Sequence, residues 1–295
     1  MSHEPSGVLS ERAPLAANAP EFGLKSLLGY LDQVVASFPD EIQQRGINRN
    51  WNDYRYLLKQ MSRLLCTSTT HPRDYLDLGA GPGVIPSVMA LAGLNATAVD
   101  TWEEYAVGFD NQMGDCESLV ARLKQSGVKC VRHNILQSPL PFPSESFDMV
   151  SLFAVLEHLH GPLTLLQDVT RLLRPGGLLI VTMPNVANLR NRLRLLVGSS
   201  PHPDDIEVWL SPAFFGHFRE MTMQEVTYIL EKFGFSTVAA HHTSACHWNT
   251  RYPDGRWGRT YRFISTHQWI KFFYLAVAEI FPSFRYELCV VGKKN

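Results

Sequence analysis

The sequence predicts an α/β fold: a doubly wound, largely parallel sheet with helices on both faces. Two observations carry that expectation. From residue 73 onward, short apolar runs at 75–78, 95–99, 128–131, 148–153 and 177–183 alternate with longer helical or loop segments at 84–92, 103–126 and 161–174. The first run leads into "LDLGAGPGV", where Gly79, Gly81 and Gly83 mark a sharp strand-to-helix turn at one end of such a sheet. With 295 residues, 45% apolar and 19% charged, the chain can bury one large core or two modest ones.

The elements follow in order. Residues 1–20 are rich in Pro, Ala and Ser and read as a disordered tail, without the charged start and apolar run of a secretory signal. "EFGLKSLLGYLDQVVASF" (21–38) and "NDYRYLLKQMSRLL" (52–65) repeat apolar residues every three or four positions, so 21–70 is a helical segment. The alternating core occupies 71–185, and "RPGG" (174–177) reads as a helix stop and tight turn before the fifth strand. The rhythm breaks after "MPN" (183–185), making 186–221 an insertion. Thr222 to Glu225, T-M-Q-E, is a capping-box sequence opening a helix to Lys232. The part from 222 to 295 continues with a strand "GFSTVAA" (234–240), an aromatic loop (241–262), an apolar helix (264–281) and a last strand "YELCVVG" (286–292). The longest apolar stretch, "QWIKFFYLAVAEIF" (268–281), falls short of the roughly 20 apolar residues a bilayer requires and carries Lys271 and Glu279.

Composition removes several function classes. A net charge of −1 gives no global reason to expect nucleic acid as a partner. The five cysteines are scattered with no C-x-x-C pair, which argues for reduced thiols in a cytoplasmic protein and against a disulfide framework or zinc site.

The glycine turn narrows the ligand. A dinucleotide fingerprint, G-x-G-x-x-G, needs a glycine where Val84 stands, and a phosphate-cradling loop needs Lys then Ser or Thr, absent from "GVIP". What remains is a turn whose backbone approaches a ligand closely and offers its N–H groups to a carboxylate. Asp100 ends the second apolar run, where a carboxylate can accept from both hydroxyls of a ribose. The expected ligand is a ribose carrying an amino-acid-like end.

With those residues, "PLPFPSESFDMV" (139–150), "VLEHL" (155–159) and "LLRPGGLLIVTMPN" (172–185), the chain resembles the class I S-adenosylmethionine-dependent methyltransferases, strongly over about 70–185 and weakly over 216–240. The resemblance implies a Rossmann-like seven-stranded sheet of order 3-2-1-4-5-7-6 with strand 7 antiparallel. It implies S-adenosylmethionine as cofactor, S-adenosylhomocysteine as product, and Asp77, Gly79, Ala80, Gly81 and Gly83 facing the methionine end. It sets Asp100 on the ribose, Thr101 and Trp102 near the adenine, and Asn134 and Ile135 beside the adenine amine. There Asn134, where many members carry Asp, accepts through its amide oxygen. Phe153 and Ala154 close the pocket over the sulfonium. The implied reaction is methyl transfer to an oxygen or nitrogen of a small-molecule or glycan acceptor. A weaker resemblance, in "NVANLRNRLRLL…SPHP…GHFRE", points to surface-glycan assembly. The alternatives are a natural-product or quinone-type ring as acceptor, a non-catalytic partner subunit, and a nicotinamide oxidoreductase, which Val84 opposes.

A hydroxyl acceptor calls for a base, and His217 in "FFGHFREMT" is the first candidate, with His158 in "LEHL" second. The plainer readings are that His217 anchors its own loop, that "LEHL" holds the helix after strand four, and that Arg219 and Glu220 form a solvated pair. No metal is expected: "SPHPDDIE" (200–207) is similar to the zinc motif of a sugar N-deacetylase family but lies in the wrong place for it. Arg190, Arg192 and Arg194, together with the arginines and aromatics of 247–263, suit a sugar, a flat ring or a membrane surface, or else a loop packed by its own aromatics. Peripheral contact of 264–281 with the inner face of the membrane is a further expectation.

Overall fold

The computed structural model describes residues 22–39, 51–67, 72–102, 116–201, 216–243, 269, 273, 276–278 and 280–295. The tail 1–20, the acidic part of "SPHPDDIE" and the arginines and aromatics of 247–263 lie outside them. Among the described residues two helices come first, α1 (Leu24–Ala36) and α2 (Trp51–Thr67), as their periodicity requires. The alternation then gives β1 (Asp74–Leu78), α3 (Val84–Leu91), β2 (Asn95–Asp100), α4 (Cys116–Gln125), β3 (Lys129–Arg132), β4 (Phe147–Phe153), α5 (Leu163–Leu172) and β5 (Leu173–Pro184). After β5 come α6 (Leu189–Leu196), α7 (Met223–Lys232), β6 (Phe235–Thr243) and β7 (Glu287–Lys294).

The strands form one sheet in the order β3-β2-β1-β4-β5-β7-β6, the order the resemblance implies. β1 to β5 run parallel, and β7 enters antiparallel to both β5 and β6. Such strands are buried on both faces and so read as continuous apolar runs. On one face Leu27, Leu31 and Val34 of α1 and Leu58 and Met61 of α2 share a core with α3 and Tyr75. On the other, Leu165, Val169 and Leu172 of α5 and Val226 and Leu230 of α7 pack on Leu76, Val150 and Val181. Each fully buried leucine contributes about 1.5–3 kcal/mol, which is how two amphipathic helices at the front of the chain become part of the sheet's support.

Two local features depart from the sequence reading. "RPGG" does not stand before the fifth strand; it interrupts that strand's pairing. Phe147 pairs with Leu173 and Met149 with Leu178, so the chain spends five residues on β5 against two on β4. Gly176 takes φ +77° there, a backbone that side-chain-bearing residues avoid. Beyond β5, the stretch expected as an arrhythmic insertion contains α6, capped by Asn188, whose side chain accepts from Asn191 N. Its arginines are committed locally: Arg192 lies over the Phe284 ring at 5.1 Å, and Arg194 donates to Pro201 O.

The capping box stands as read. Thr222 Oγ1 accepts from Glu225 N at 3.3 Å, and Glu225 Oε2 accepts from Thr222 N at 2.8 Å. Thr222→Ala is expected to cost about 1 kcal/mol, the usual loss for an N-cap, read as a lower urea midpoint with unchanged slope.

Candidate active site

The glycine turn sits where β1 ends, beside the carboxyl ends of β2 and β4, the crevice in which open α/β sheets bind ligands. All three glycines have left-handed backbones, at φ +71°, +54° and +69° for Gly79, Gly81 and Gly83. A Cβ at Gly79 would stand 2.7 Å from Val155 Cγ2 and 3.8 Å from Ile135 Cδ1, so the turn, Ile135 and the segment after β4 meet at that glycine. Gly83 is held differently: a Cβ there would lie 2.0 Å from Leu123 Cδ2, so this glycine serves the packing of α4 against the start of α3.

The expectation that the turn offers its N–H groups to a ligand carboxylate is corrected here. Gly79 N and Ala80 N both donate to Val99 O, Gly83 N donates to Ala80 O, and Gly81 N donates to Asp100 Oδ2 at 2.8 Å. Pro82 has no N–H to give. The turn is therefore a self-satisfied scaffold, as buried backbone must be. Asp100 closes it, since its other oxygen accepts from Trp102 N at 3.0 Å. Trp102 lies beneath the turn, wholly buried, its indole N–H on Gly81 O at 2.9 Å. It braces the turn and presents no ring face to an adenine. Thr101, by contrast, is half-buried beside Asp100.

Asp77, two residues before Gly79, is 3% exposed. Its Oδ1 accepts from Ser151 Oγ, its register partner on β4, and Ser151 Oγ in turn bonds the Tyr75 hydroxyl at 2.7 Å. Burial pushes the Asp77 carboxyl up to about 7; the hydrogen bonds from Ser151 and Tyr75 pull it down and the charge of Asp100 adds to the rise. Tyr75 and Ser151 were not among the expected residues. The signal was present, because Tyr75 and Asp77 are two apart on one strand and so share a face.

Asn134 is exposed, and its Oδ1 already accepts from Leu136 N at 2.9 Å. One lone pair of that oxygen is therefore used within its own loop. Phe153, at the end of β4, is half-buried, and Ala154 after it is exposed with φ +52°.

A second cluster adjoins the first. Only Leu156 and Glu157 separate Val155, which touches Gly79, from His158, and residues 156–158 form one turn of 3-10 helix. Glu157 O accepts from Phe218 N and Arg219 N, which fastens the segment carrying His217 onto that turn. The His158 and His217 rings meet edge to face at 4.8 Å between centroids. His158 Nδ1 donates to Gly216 O at 3.1 Å, and His217 Nδ1 bonds Glu220 Oε1 at 2.8 Å. The two histidines singled out in the sequence are therefore neighbours. Glu220, read as half of a solvated pair with Arg219, is instead buried on His217, and Arg219 pairs with Glu225 at 2.9 Å.

Glu157 was missed as a site residue. It is fully buried, and neither carboxylate oxygen has a hydrogen-bond partner among the described residues. Burial pushes its carboxyl up to about 7, opposed by the nearness of its own backbone amide and by His217, and assisted by the Glu220 charge.

The family of methyltransferase domains matches residues 49–240, well over half of the chain. A probable S-adenosylmethionine-dependent methyltransferase of Mycobacterium tuberculosis is 28% identical over 193 residues, 65% of this chain and 58% of that protein. A ubiquinone biosynthesis O-methyltransferase of Actinobacillus pleuropneumoniae is 27% identical over 127 residues, 43% of this chain and 52% of that one. The chain thus spans about half the length of the curated relatives it matches. A solved S-adenosylmethionine-dependent methyltransferase of Archaeoglobus fulgidus superposes with a TM-score of 0.48 at 18% identity, over 81% of this chain and 94% of that one. By its sheet order, its glycine turn and the family match, the chain belongs to the class I S-adenosylmethionine-dependent methyltransferases.

Proposed function

We propose that this chain transfers a methyl group from S-adenosylmethionine to a hydroxyl oxygen of a sugar or ring-bearing acceptor. The observation that carries the reading is the adjacency of two sites at one sheet edge: the turn closed by Asp100, and the imidazole–carboxylate cluster two residues beyond Val155.

The residues fit the methyl donor. Each Asp100 oxygen accepts one N–H, which leaves a lone pair on each for the two hydroxyls of a ribose. Asp77 is a buried acid whose ionised form lacks a counter-charge, so a cationic amino-acid end suits it. The left-handed turn keeps side chains out of the approach. The donor supplies a methyl group already bonded to a positively charged sulfur. The chain's task is then alignment of an acceptor oxygen and removal of its proton. The His158–His217 cluster is the place for that proton, at the half-buried end of β4. The O-methyltransferases among the relatives support an oxygen as acceptor.

Asp77 gives this reading a pH signature. Below about 7 its carboxyl holds a proton that a bound cation must displace. S-adenosylmethionine affinity is therefore expected to rise, by up to about tenfold per unit, as pH climbs toward 7, and then to level off. By the same sign, Asp77 withdraws folding stability as pH rises from the ordinary carboxylate range to about 7. Calorimetric titration from pH 5.5 to 8 checks the first effect, and Asp77→Asn should flatten the curve.

The acceptor is found by tritiated methyl transfer into extracts, with mass spectrometry of the labelled product. Label on a sugar hydroxyl supports the glycan reading and label on a phenol the ring reading; label on nitrogen alone overturns both. Contact with a membrane surface is a second reading, favoured by the exposure of Leu195, Leu196, Val197, Trp269, Phe273 and Ile280. No helix among the described residues is long and apolar enough to cross a membrane. Failure to sediment with anionic vesicles at low salt would remove this second reading.

A further inference from the structure

We propose that Glu157, His158 and His217 bind one divalent first-row transition cation, of the zinc or manganese kind, at the acceptor side of the methyl-transfer site. The three side chains offer one carboxylate oxygen and two imidazole nitrogens, all within 4.8 Å of one another. An ion bonded at about 2.0–2.2 Å to each needs them roughly 3.5 Å apart, so binding would draw the three side chains closer together.

Three features set this cluster apart from a chance grouping. Glu157 is wholly buried with both carboxylate oxygens unpartnered among the described residues, which is costly for an acid unless something charged completes it. His158 can only donate from Nδ1 to the Gly216 carbonyl, so Nε2 is its basic nitrogen. His217 likewise directs Nδ1 at the buried Glu220 carboxylate. A ligating histidine that gives its other N–H to a carbonyl or carboxylate is the usual support of a metal site, fixing tautomer and ring angle. Two imidazoles and one carboxylate are a borderline donor set, better matched to zinc, manganese or ferrous ions than to magnesium or calcium.

The site also has an open side. His158 and His217 are half-buried and Ala154, which precedes the turn, is exposed. Three protein ligands leave a coordination position for an oxygen. With the cation bound, the two histidines would hold it rather than take the proton, and an acceptor hydroxyl bound there would release its proton to solvent more readily because the cation stabilises the oxyanion. That use rests on the hydroxyl reading above; the cation site itself does not. The sequence expectation of no metal weighed the acidic stretch at 202–207 and never joined residues 157–158 to 217.

The test uses the full chain, stripped with a chelator and titrated calorimetrically with zinc and with manganese chloride. One ion per chain is expected. Glu157→Gln and His217→Ala should each weaken binding by at least about tenfold, while His133→Ala, at a half-buried histidine outside the cluster bonded to Gln137 O, should not. Melting guards against misfolding: zinc should raise the midpoint of the parent protein but not of Glu157→Gln. In chelator that variant should melt no lower than the parent, because a neutral amide replaces a buried acid. S-adenosylmethionine affinity in Glu157→Gln should stay close to that of the parent, which separates failure here from failure of the methyl-donor reading. Absence of binding, or binding indifferent to both substitutions, overturns the proposal.

Discussion

Asp100→Ala is expected to lower S-adenosylmethionine affinity by at least about 100-fold. Hydrogen bonds to a charged group are worth about 1.5–3 kcal/mol each, and the substitution removes two that would go to the ribose. It also orphans Gly81 N and Trp102 N, the two donors that Asp100 gathers. The turn should therefore loosen as well as lose its ligand, and the fall in affinity should come with a lower melting midpoint. Asp100→Asn separates the two roles. Its amide oxygen can keep one backbone donor but its nitrogen cannot accept from the other, so it should recover part of the midpoint and little of the affinity. Calorimetric titration with a parallel thermal melt reads both. Parent-like affinity in Asp100→Ala would mean that the ribose lies elsewhere.

Gly83→Ala is expected to destabilise the fold by about 2–5 kcal/mol. A left-handed backbone costs an alanine about 1–2 kcal/mol, and φ at this position is +69°. The added methyl would also lie 2.0 Å from Leu123 Cδ2, with two more atoms of that side chain at 2.9 Å. Overpacking of this kind typically costs about 1–3 kcal/mol. Urea denaturation of Gly83→Ala, Leu123→Ala and the double variant forms a cycle that divides the cost. The pair should couple, since removing Leu123 relieves the clash; the backbone share should persist. Simple additivity would show that packing plays no part.

The legible half of this protein is the half where one residue's reason is local. Parallel strands announce themselves as apolar runs, and Thr222 with Glu225 announces a helix start, because both ends of each interaction lie within a few positions. The glycine turn was legible as a turn but not in its use of hydrogen bonds. Whether Gly81 N meets a ligand or Asp100 depends on where the next strand ends, 19 residues on. "RPGG" was read as a stop, because glycine after proline marks a turn wherever it stands. Only the pairing with β4 shows that the strand runs on through it. Trp102 was placed near the adenine by the family resemblance, from its position after Asp100, whereas in the fold it is buried and its indole N–H meets Gly81 O. The acceptor cluster was half visible. His158 and His217 stood out as imidazoles, but Glu157 and Glu220 looked like ordinary polar residues until the chain folded 217 back onto 157.

Among the described residues β7 follows the other six strands of the sheet, yet it lies between β5 and β6 and pairs with both along most of its length. A nascent chain that has emerged only as far as residue 285 would hold the cofactor half of the sheet with β5 ending in a bare edge, and β6 with nothing to join it to that half. Bare edges recruit other strands, so a chain in that state is exposed to mispairing. A substitution such as Gly292→Val would prolong that state, because a side chain there meets Phe235 Cβ at 2.9 Å as β7 docks on β6. β7 is thus the strand that converts two separate pieces into a single sheet, and damage to it should surface as failed folding before it surfaces as slow catalysis.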